Sequence, residues 1–175
     1  MEFCKLNKEF VVNDYEMKEI QTSFMKDGKG IAYHYVNFNN FNIFDIIPEK
    51  HKEHFSVTLM HINTTIPPHT DSGIKSTINI YLQTDNCLTQ FYKFKNGNPK
   101  TEQVNNQTDG FIFDELDLEK TNAFIAKTNE AWLLDVSQPH SVIPQEEFNN
   151  RLAVAIGSPL EYSVVYNILK GEGHI

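Results

Sequence analysis

A histidine and an aspartate stand two residues apart directly after a pair of prolines, in the stretch IPPHTDSG from Ile66 to Gly73. The prolines stiffen the chain and suit the entrance to an edge strand or bend. In an extended segment side chains alternate between faces, so His69 and Asp71 point the same way, about 6.6 Å apart along the backbone at ~3.3 Å per residue. An imidazole and a carboxylate at this spacing can converge on one metal ion.

A second histidine in a similar setting, His140, follows in QPHSV, from Gln138 to Val142. On a neighbouring strand it would complete two imidazoles and one carboxylate on one face of a metal, which is the arrangement of non-haem Fe(II) oxygenases. A hydrolytic zinc site uses similar donors, usually with a general base nearby. A binding module that keeps the site without catalysis is the other alternative. The three side chains predict a metal site, and both alternatives stay open at this point.

One basic residue differs in type from all the others. Of the fifteen Lys and Arg residues only Arg151 is Arg, and it opens the apolar run RLAVAIG, 11 residues after His140. A planar guanidinium can bind a carboxylate through two parallel hydrogen bonds, which a lysine ammonium cannot do. We therefore expect Arg151 to hold an anionic group. The alternative is an exposed cation at the start of a strand, paired with Glu146 or Glu147.

Two blocks of the sequence resemble the 2-oxoglutarate and Fe(II)-dependent dioxygenase superfamily. These blocks are HTD, at residues 69–71, and HSV…RLAVAIG, at residues 140–157, and the resemblance covers about residues 54–158. It implies that His69, Asp71 and His140 bind Fe(II) and that Arg151 holds the far carboxylate of 2-oxoglutarate. The implied activity is hydroxylation of a C–H bond of a protein or peptide side chain or a small molecule. O2 is consumed, succinate and CO2 are released, and ascorbate is expected to stimulate the reaction.

The run NIYLQ adds a match to the prolyl-hydroxylase-like branch of this superfamily. In that branch a Tyr before Leu also bonds the co-substrate carboxylate, and the corresponding residue here is Tyr81. Asn79 shares a strand face with Tyr81 and is expected to line the same pocket. Many relatives have Ser two residues after the Arg, whereas this chain has Ala153, so the hydroxyl partner is expected to be Tyr81. The nucleic-acid demethylase branch uses a second Arg, which this chain lacks.

The segment before these motifs predicts a helix. Asn13 or Asp14 can cap it, and Met17, Ile20 and Phe24 then fall on one face. The run DGKG, at residues 27–30, would end this helix. We therefore expect an N-terminal helix that packs on the rest of the domain.

Short β-rich runs dominate the remainder, and Asn96-Gly97 is a tight-turn signal after one of them. Many short strands with turn residues between them predict a sandwich or barrel. The resemblance narrows this to a mainly β double-stranded β-helix (jelly roll, cupin-like), with a core at about 54–169 and one or two flanking N-terminal helices. The runs are Ile31–Phe38, His54–Ile62, Ser76–Gln83, Thr89–Phe94, Asn122–Lys127, Ala131–Val136, Arg151–Gly157 and Tyr162–Leu169.

Length and charge restrict the class of protein further. A chain of 175 residues predicts a single domain, 1–175. The net charge of -8 and the pI near 5.3 argue against nucleic acid as a partner, because phosphate binding depends on clustered Lys and Arg. No run approaches the ~20 apolar residues of a membrane span, and the first residues lack the apolar core of a secretory signal. We expect a cytoplasmic protein without a membrane partner, in which Cys4 and Cys87 stay reduced.

Overall fold

Two antiparallel β-sheets form the framework of the protein. The computed structural model describes residues 1–26, 29–95, 101–103, 110–145 and 150–175. In chain order the strands are β1 (Phe3–Lys5), β2 (Tyr15–Lys26), β3 (Lys29–Phe38), β4 (Ser56–Ile62), β5 (Ile66–His69), β6 (Ser76–Gln83), β7 (Leu88–Phe94), β8 (Thr101–Gln103), β9 (Phe111–Phe113), β10 (Leu118–Ile125), β11 (Ala131–Asp135), β12 (His140–Ile143) and β13 (Arg151–Ser158). One α-helix, α1 (Tyr162–Gly171), follows them.

The strand order shows a jelly roll. The larger sheet has the order β1-β11-β6-β13-β4-β3-β2, and the smaller sheet has the order β10-β7-β12-β5-β9-β8. Consecutive strands alternate between the sheets from β4 to β7 and again from β10 to β13. This double winding of two antiparallel sheets is the jelly roll, or double-stranded β-helix. The predicted fold class is confirmed.

Each face of the larger sheet is covered by a different set of side chains. On the face turned away from the smaller sheet, aliphatic residues of the larger sheet pack against Val165 and Leu169 of α1. They also pack against residues before β4, such as Ile47. On its inner face, Tyr81 and Ala153 pack against Phe91 and Phe124 of the smaller sheet. The central strands of the larger sheet, β6 and β13, are therefore held between two apolar layers.

The N-terminal helix predicted from the sequence is wrong. Tyr15–Lys26 form strand β2, which pairs antiparallel with β3, with Met17 opposite Val36. Strand pairing has overridden the helical spacing of a few apolar residues, as tertiary context often does. Two short 3-10 helices, Ile43–Asp45 and Glu49–His54, are the helical segments described before β4.

The last predicted strand, Tyr162–Leu169, is also wrong, because this segment is helix α1. Its buried residues Val165 and Leu169 are four apart, which places them on one helical face. The other predicted strands are confirmed, with ends shifted by a few residues. The predicted Asn96-Gly97 turn and the first half of DGKG lie outside the described residues. Nothing helical in the described ranges has the length and apolar character needed to span a bilayer.

Candidate metal centre and its cavity

The two histidines predicted as ligands lie opposite each other on paired strands. His69 is the last residue of β5 and His140 the first residue of β12, and the register pairs them directly. Their ring centroids are 4.4 Å apart. On the other side of β12, Phe91 of β7 pairs with His140 and stacks on its ring at 5.7 Å. Three adjacent strands of the smaller sheet therefore fix both imidazoles.

Each imidazole is oriented by a backbone carbonyl. Nδ1 of His69 lies 2.8 Å from the Pro67 oxygen, and Nδ1 of His140 lies 3.1 Å from the Gln138 oxygen. A carbonyl can only accept, so Nδ1 carries a proton in both rings, and Nε2 is the ring nitrogen that lies beside Asp71. Metal-binding histidines are commonly oriented in this way. Both Nε2 atoms are therefore held in place to coordinate a metal ion.

Asp71 supplies the third donor, two residues after His69. Its Oδ1 lies 3.4 Å from Nε2 of His69 and 3.8 Å from Nε2 of His140, and the three donor atoms lie within 4.8 Å of one another. The Asp71 amide donates to the Val136 carbonyl at 3.2 Å, which holds the residue after β5 ends. Donors about 2.1 Å from one ion lie roughly 3 Å apart at right angles, so a small contraction would admit the ion. The donor set fits a metal.

The charge state of these groups suits metal binding at neutral pH. Burial lowers the pKa of His140 to about 4, and the neighbouring His69 adds to this effect. Burial alone would raise the pKa of Asp71, but the imidazoles of His69 and His140 beside it hold that pKa below its usual range. His140 is therefore neutral and Asp71 ionised at pH 7. Those are the forms that coordinate metals.

Arg151 begins β13 and is buried, with 2% of its surface exposed. Its Nη1 donates to the Thr89 hydroxyl at 2.9 Å, and its Nη2 donates to the Tyr81 hydroxyl at 2.7 Å. Its Nε is buried without a hydrogen-bond partner among the described residues. No described carboxylate forms an ion pair with it. A buried cation without a counter-charge is costly, so the site calls for an anion.

One cavity of about 280 Å³ between the sheets joins this guanidinium to the three metal donors. His69, Asp71, His140 and Arg151 all line it. Its volume lies just below the range for small-molecule sites, roughly 300–1,000 Å³. The structure thus brings the four residues with the clearest sequence signals into a single cavity.

Of the two further predicted residues, Asn79 lines this cavity directly, whereas Tyr81 lies behind Arg151. Asn79 lines the cavity and is 3% exposed, and its Oδ1 accepts from the Thr77 hydroxyl at 3.2 Å. Its amide nitrogen has no hydrogen-bond partner within the described part of the chain. Tyr81 is 1% exposed and is not among the described lining residues, so it reaches the cavity through Arg151.

Thr89 was missed by the sequence reasoning. It lines the cavity and is the second hydroxyl acceptor for Arg151. The signal was available, because Thr89 alternates with Phe91 on one strand face, although a threonine in a strand is unremarkable by itself. The exposed-cation interpretation of Arg151 is wrong, since that side chain is buried. Its proposed partners Glu146 and Glu147 lie outside the described residues.

Comparisons with known proteins give only distant similarities. No protein-family model matches this sequence, and no curated protein matches it. Among solved structures, vicilin from Corylus avellana (hazelnut) is 8% identical, with 79% of this chain and 31% of that chain covered and a TM-score of 0.43. A Bacillus subtilis oxalate decarboxylase, described with Mn(II) centres, is 8% identical, with 79% and 28% covered and a TM-score of 0.39.

A third solved structure, E. coli ycfD, is 12% identical, with 91% of this chain and 46% of that chain covered and a TM-score of 0.42. The chain spans less than half the length of each of these three proteins. The jelly-roll assignment therefore rests on the strand order of this chain itself.

Proposed function

We propose that the protein is a non-haem Fe(II) and 2-oxoglutarate-dependent dioxygenase that hydroxylates a C–H bond of its substrate. His69, Asp71 and His140 would hold Fe(II), and Arg151 would bind the far carboxylate of 2-oxoglutarate. A protein or peptide side chain is the first choice of substrate, with a small metabolite as the second. Tyr81 and Arg151, which resemble the prolyl-hydroxylase-like branch, favour the first.

The observation that carries this proposal is the combination of Arg151 with the metal donors in one cavity. A facial set of two imidazoles and a carboxylate leaves several coordination positions open. A buried guanidinium without a carboxylate partner among the described residues needs an anion. A dicarboxylate with a chelating keto acid at one end would satisfy both requirements in a single molecule.

The residues of this chain would bind and orient the reactants. Arg151, positioned by Thr89 and Tyr81, would fix the far carboxylate, and Asn79, which lines the same cavity, would offer an amide group to the reactants. When bound, the iron and co-substrate supply the oxidation: O2 and 2-oxoglutarate yield succinate, CO2 and one hydroxylated substrate carbon. The protein orients the substrate towards the iron and excludes water from the site.

The zinc-hydrolase alternative has less support in the cavity. A hydrolytic site usually needs a carboxylate or imidazole beyond the ligands to activate water or protonate a leaving group. Among the described lining residues, His69, Asp71 and His140 are the only ones of these types, and all three would be ligands. That alternative also assigns no role to the buried Arg151.

The deciding experiment measures succinate from 2-oxoglutarate in air, with Fe(II) and ascorbate present. We expect slow succinate formation by the parent alone and faster formation with a true substrate, because the oxidation is productive only when a C–H bond is in place. His140→Ala, which removes one ligand, provides the background rate. If the parent forms no more succinate than His140→Ala with every substrate tried, the non-catalytic binding module replaces this proposal.

A further inference from the structure

The cavity extends well beyond the metal donors along β13. Arg151 and Gly157, the first and seventh residues of this strand, both line it, so the lined face is roughly 20 Å long. Thr89, which bonds Arg151, pairs with Val142, two residues beyond His140 on β12. Along the strand direction, His140 therefore lies only about 7 Å from the position where Thr89 bonds Arg151. A co-substrate held by the guanidinium and the metal leaves the remaining length open.

The part of the cavity beyond the metal, here termed the substrate arm, has a defined lining. Strand register places Gly157 of β13 between Ser56 of β4 and Thr77 of β6, and it pairs Ala155 with Thr58. The arm is lined by Ser56, Thr58, Ile74, Thr77, Ala155 and Gly157. Ala155 and Gly157 are the smallest residues of this lining, and the Ile74 side chain packs closely over Gly157, so the arm is narrow at this point. A Cβ placed on Gly157 would lie 3.2 Å from Cδ1 of Ile74.

The substrate arm contains hydroxyl groups but no ionised side chain. Its polar atoms are the hydroxyls of Ser56, Thr58 and Thr77. Among the described residues that line the whole cavity, the carboxylate of Asp71 and the guanidinium of Arg151 are the only full charges other than the titratable imidazoles. In the proposed function Asp71 binds the metal and Arg151 binds the co-substrate, so neither is available to a charged substrate group. A charged substrate group beside the buried residues Thr77 and Gly157 would therefore lose its hydration without gaining a counter-charge.

Asn79 supplies a neutral polar group where the arm meets the rest of the cavity. Asn79 borders the arm, because it pairs with Ala155, and it is 3% exposed. Its side chain lines the cavity, and its Oδ1 accepts from the Thr77 hydroxyl at 3.2 Å. Asn79 and Thr77 therefore add neutral hydrogen-bonding groups, and no charge, at the junction of the two parts of the cavity.

We propose that the substrate arm accepts an uncharged, narrow aliphatic group that carries at most a neutral hydroxyl or carbonyl. This assignment rests on the proposed function. The substrate class is thereby restricted to neutral groups, whether on a peptide or on a small molecule. Side chains that bear an ammonium, a guanidinium or a carboxylate at the point of entry are excluded.

Binding of four probes that share one carbon skeleton tests the assignment. The probes are 4-methylpentanamide, 4-methylpentan-1-ol, 4-methylpentanoate and 4-methylpentylamine, titrated at pH 7 into Zn(II)-loaded protein with 2-oxoglutarate and followed by ligand-observed NMR. Zinc prevents turnover, so the readout is binding alone. We expect the amide and the alcohol to bind at least ten-fold more tightly than either ion. Equal or tighter binding of an ion, or no binding of the neutral probes, overturns the assignment.

Two variants locate the binding in the arm. Gly157→Val adds atoms against Ile74, which must shift within the arm, and should weaken the neutral probes at least ten-fold. Ala123→Val, on the exposed β10 surface, should have no effect. Thr58→Lys adds a cation at a partly exposed position and should strengthen the 4-methylpentanoate probe at least ten-fold. If neither Gly157→Val nor Thr58→Lys changes the probe affinities, the assignment is wrong.

The same samples separate this inference from the proposed function. 2-Oxoglutarate is titrated into metal-loaded parent and Gly157→Val protein, and both should bind it equally because Gly157 lies far from Arg151. If the parent does not bind 2-oxoglutarate, the proposed function fails, while the order of the four probes still decides the character of the arm. If 2-oxoglutarate binds and the ions are preferred, only the arm assignment fails.

Discussion

Tyr81 holds Arg151 in two ways at once. Its hydroxyl accepts a hydrogen bond from Nη2 at 2.7 Å, and the guanidinium carbon lies 4.8 Å from the centroid of its ring. Such a cation–π contact adds to the hydrogen bond. With Thr89 on the other side, the fork is oriented before any anion arrives. Preorganisation of this kind raises affinity because less freedom is lost on binding.

Removal of the Tyr81 hydroxyl should therefore weaken 2-oxoglutarate binding. Tyr81→Phe leaves Nη2 without its acceptor, and hydrogen bonds to charged groups contribute about 1.5–3 kcal/mol, so we expect the dissociation constant to rise roughly ten-fold or more. Anaerobic calorimetric titration of 2-oxoglutarate into Fe(II)-loaded protein measures it. Tyr162→Phe, a change in a tyrosine whose hydroxyl has no partner in the described residues, is the matched control. An unchanged constant for Tyr81→Phe would show that Thr89 alone positions the guanidinium.

Arg151→Lys keeps the positive charge and loses the planar fork. We expect the dissociation constant of 2-oxoglutarate to rise by roughly ten-fold or more, about 1.4 kcal/mol, because an ammonium cannot bind a carboxylate through two parallel hydrogen bonds. Fe(II) affinity, measured in the same samples, should hardly change. If 2-oxoglutarate binds the variant and the parent equally, the main support for this co-substrate is lost.

Asp71→Ala removes the donor that lies closest to both histidines. Loss even of residues that orient metal ligands costs about 10–100-fold in affinity, so loss of the ligand itself should weaken Fe(II) binding by at least roughly 100-fold. The fold should persist, since the Asp71 side chain is 31% exposed. Anaerobic Fe(II) titration, with circular dichroism to check folding, gives the answer. Asp45→Ala removes an exposed carboxylate elsewhere and should bind iron like the parent.

The pairing of His69 with Asp71 could be predicted from the sequence because the two residues alternate on one short segment. The β-rich runs with turn residues between them predicted only a sandwich or barrel, and the jelly roll and the role of His140 followed from the resemblance to a known family. The N-terminal segment could not be predicted in this way, because the pairing of Tyr15–Lys26 with β3 is a long-range choice that the local spacing of Met17 does not reveal. Thr89 acquires its role only when β7 and β13 meet in space.

The free energy of unfolding of the metal-free protein should depend on His140 at mildly acidic pH. Its pKa is about 4 in the folded state and ordinarily about 6.5, so the unfolded chain binds the proton first as the pH falls. Stability present above pH 6.5 is then lost towards pH 4, by up to about 3 kcal/mol. Urea unfolding at several pH values measures this loss. His140→Gln should show a smaller loss over the same interval, and an equal loss would assign the pH dependence to other groups.

Tyr162 on α1 offers a separate test of stability. Its hydroxyl is buried without a hydrogen-bond partner among the described residues, and such a group costs roughly 1–3 kcal/mol. Tyr162→Phe removes the hydroxyl and keeps the ring, which stacks near Tyr166 at 6.1 Å. We expect the free energy of unfolding to rise by roughly 1 kcal/mol in urea denaturation. A decrease would mean that the hydroxyl has a partner, such as an ordered water.

The direct pairing of His69 with His140 has a consequence for how the chain folds. β5 and β12 come from the two halves of the sequence, with β6 to β11 between them, so the metal donors meet only after a long loop has closed. An ion would thus be captured late in folding, after the second half of the jelly roll has wound back onto the first. Once captured, it would join the two halves like a cross-link, and the strands could not separate without releasing it. Metal binding would therefore slow unfolding more than it speeds folding.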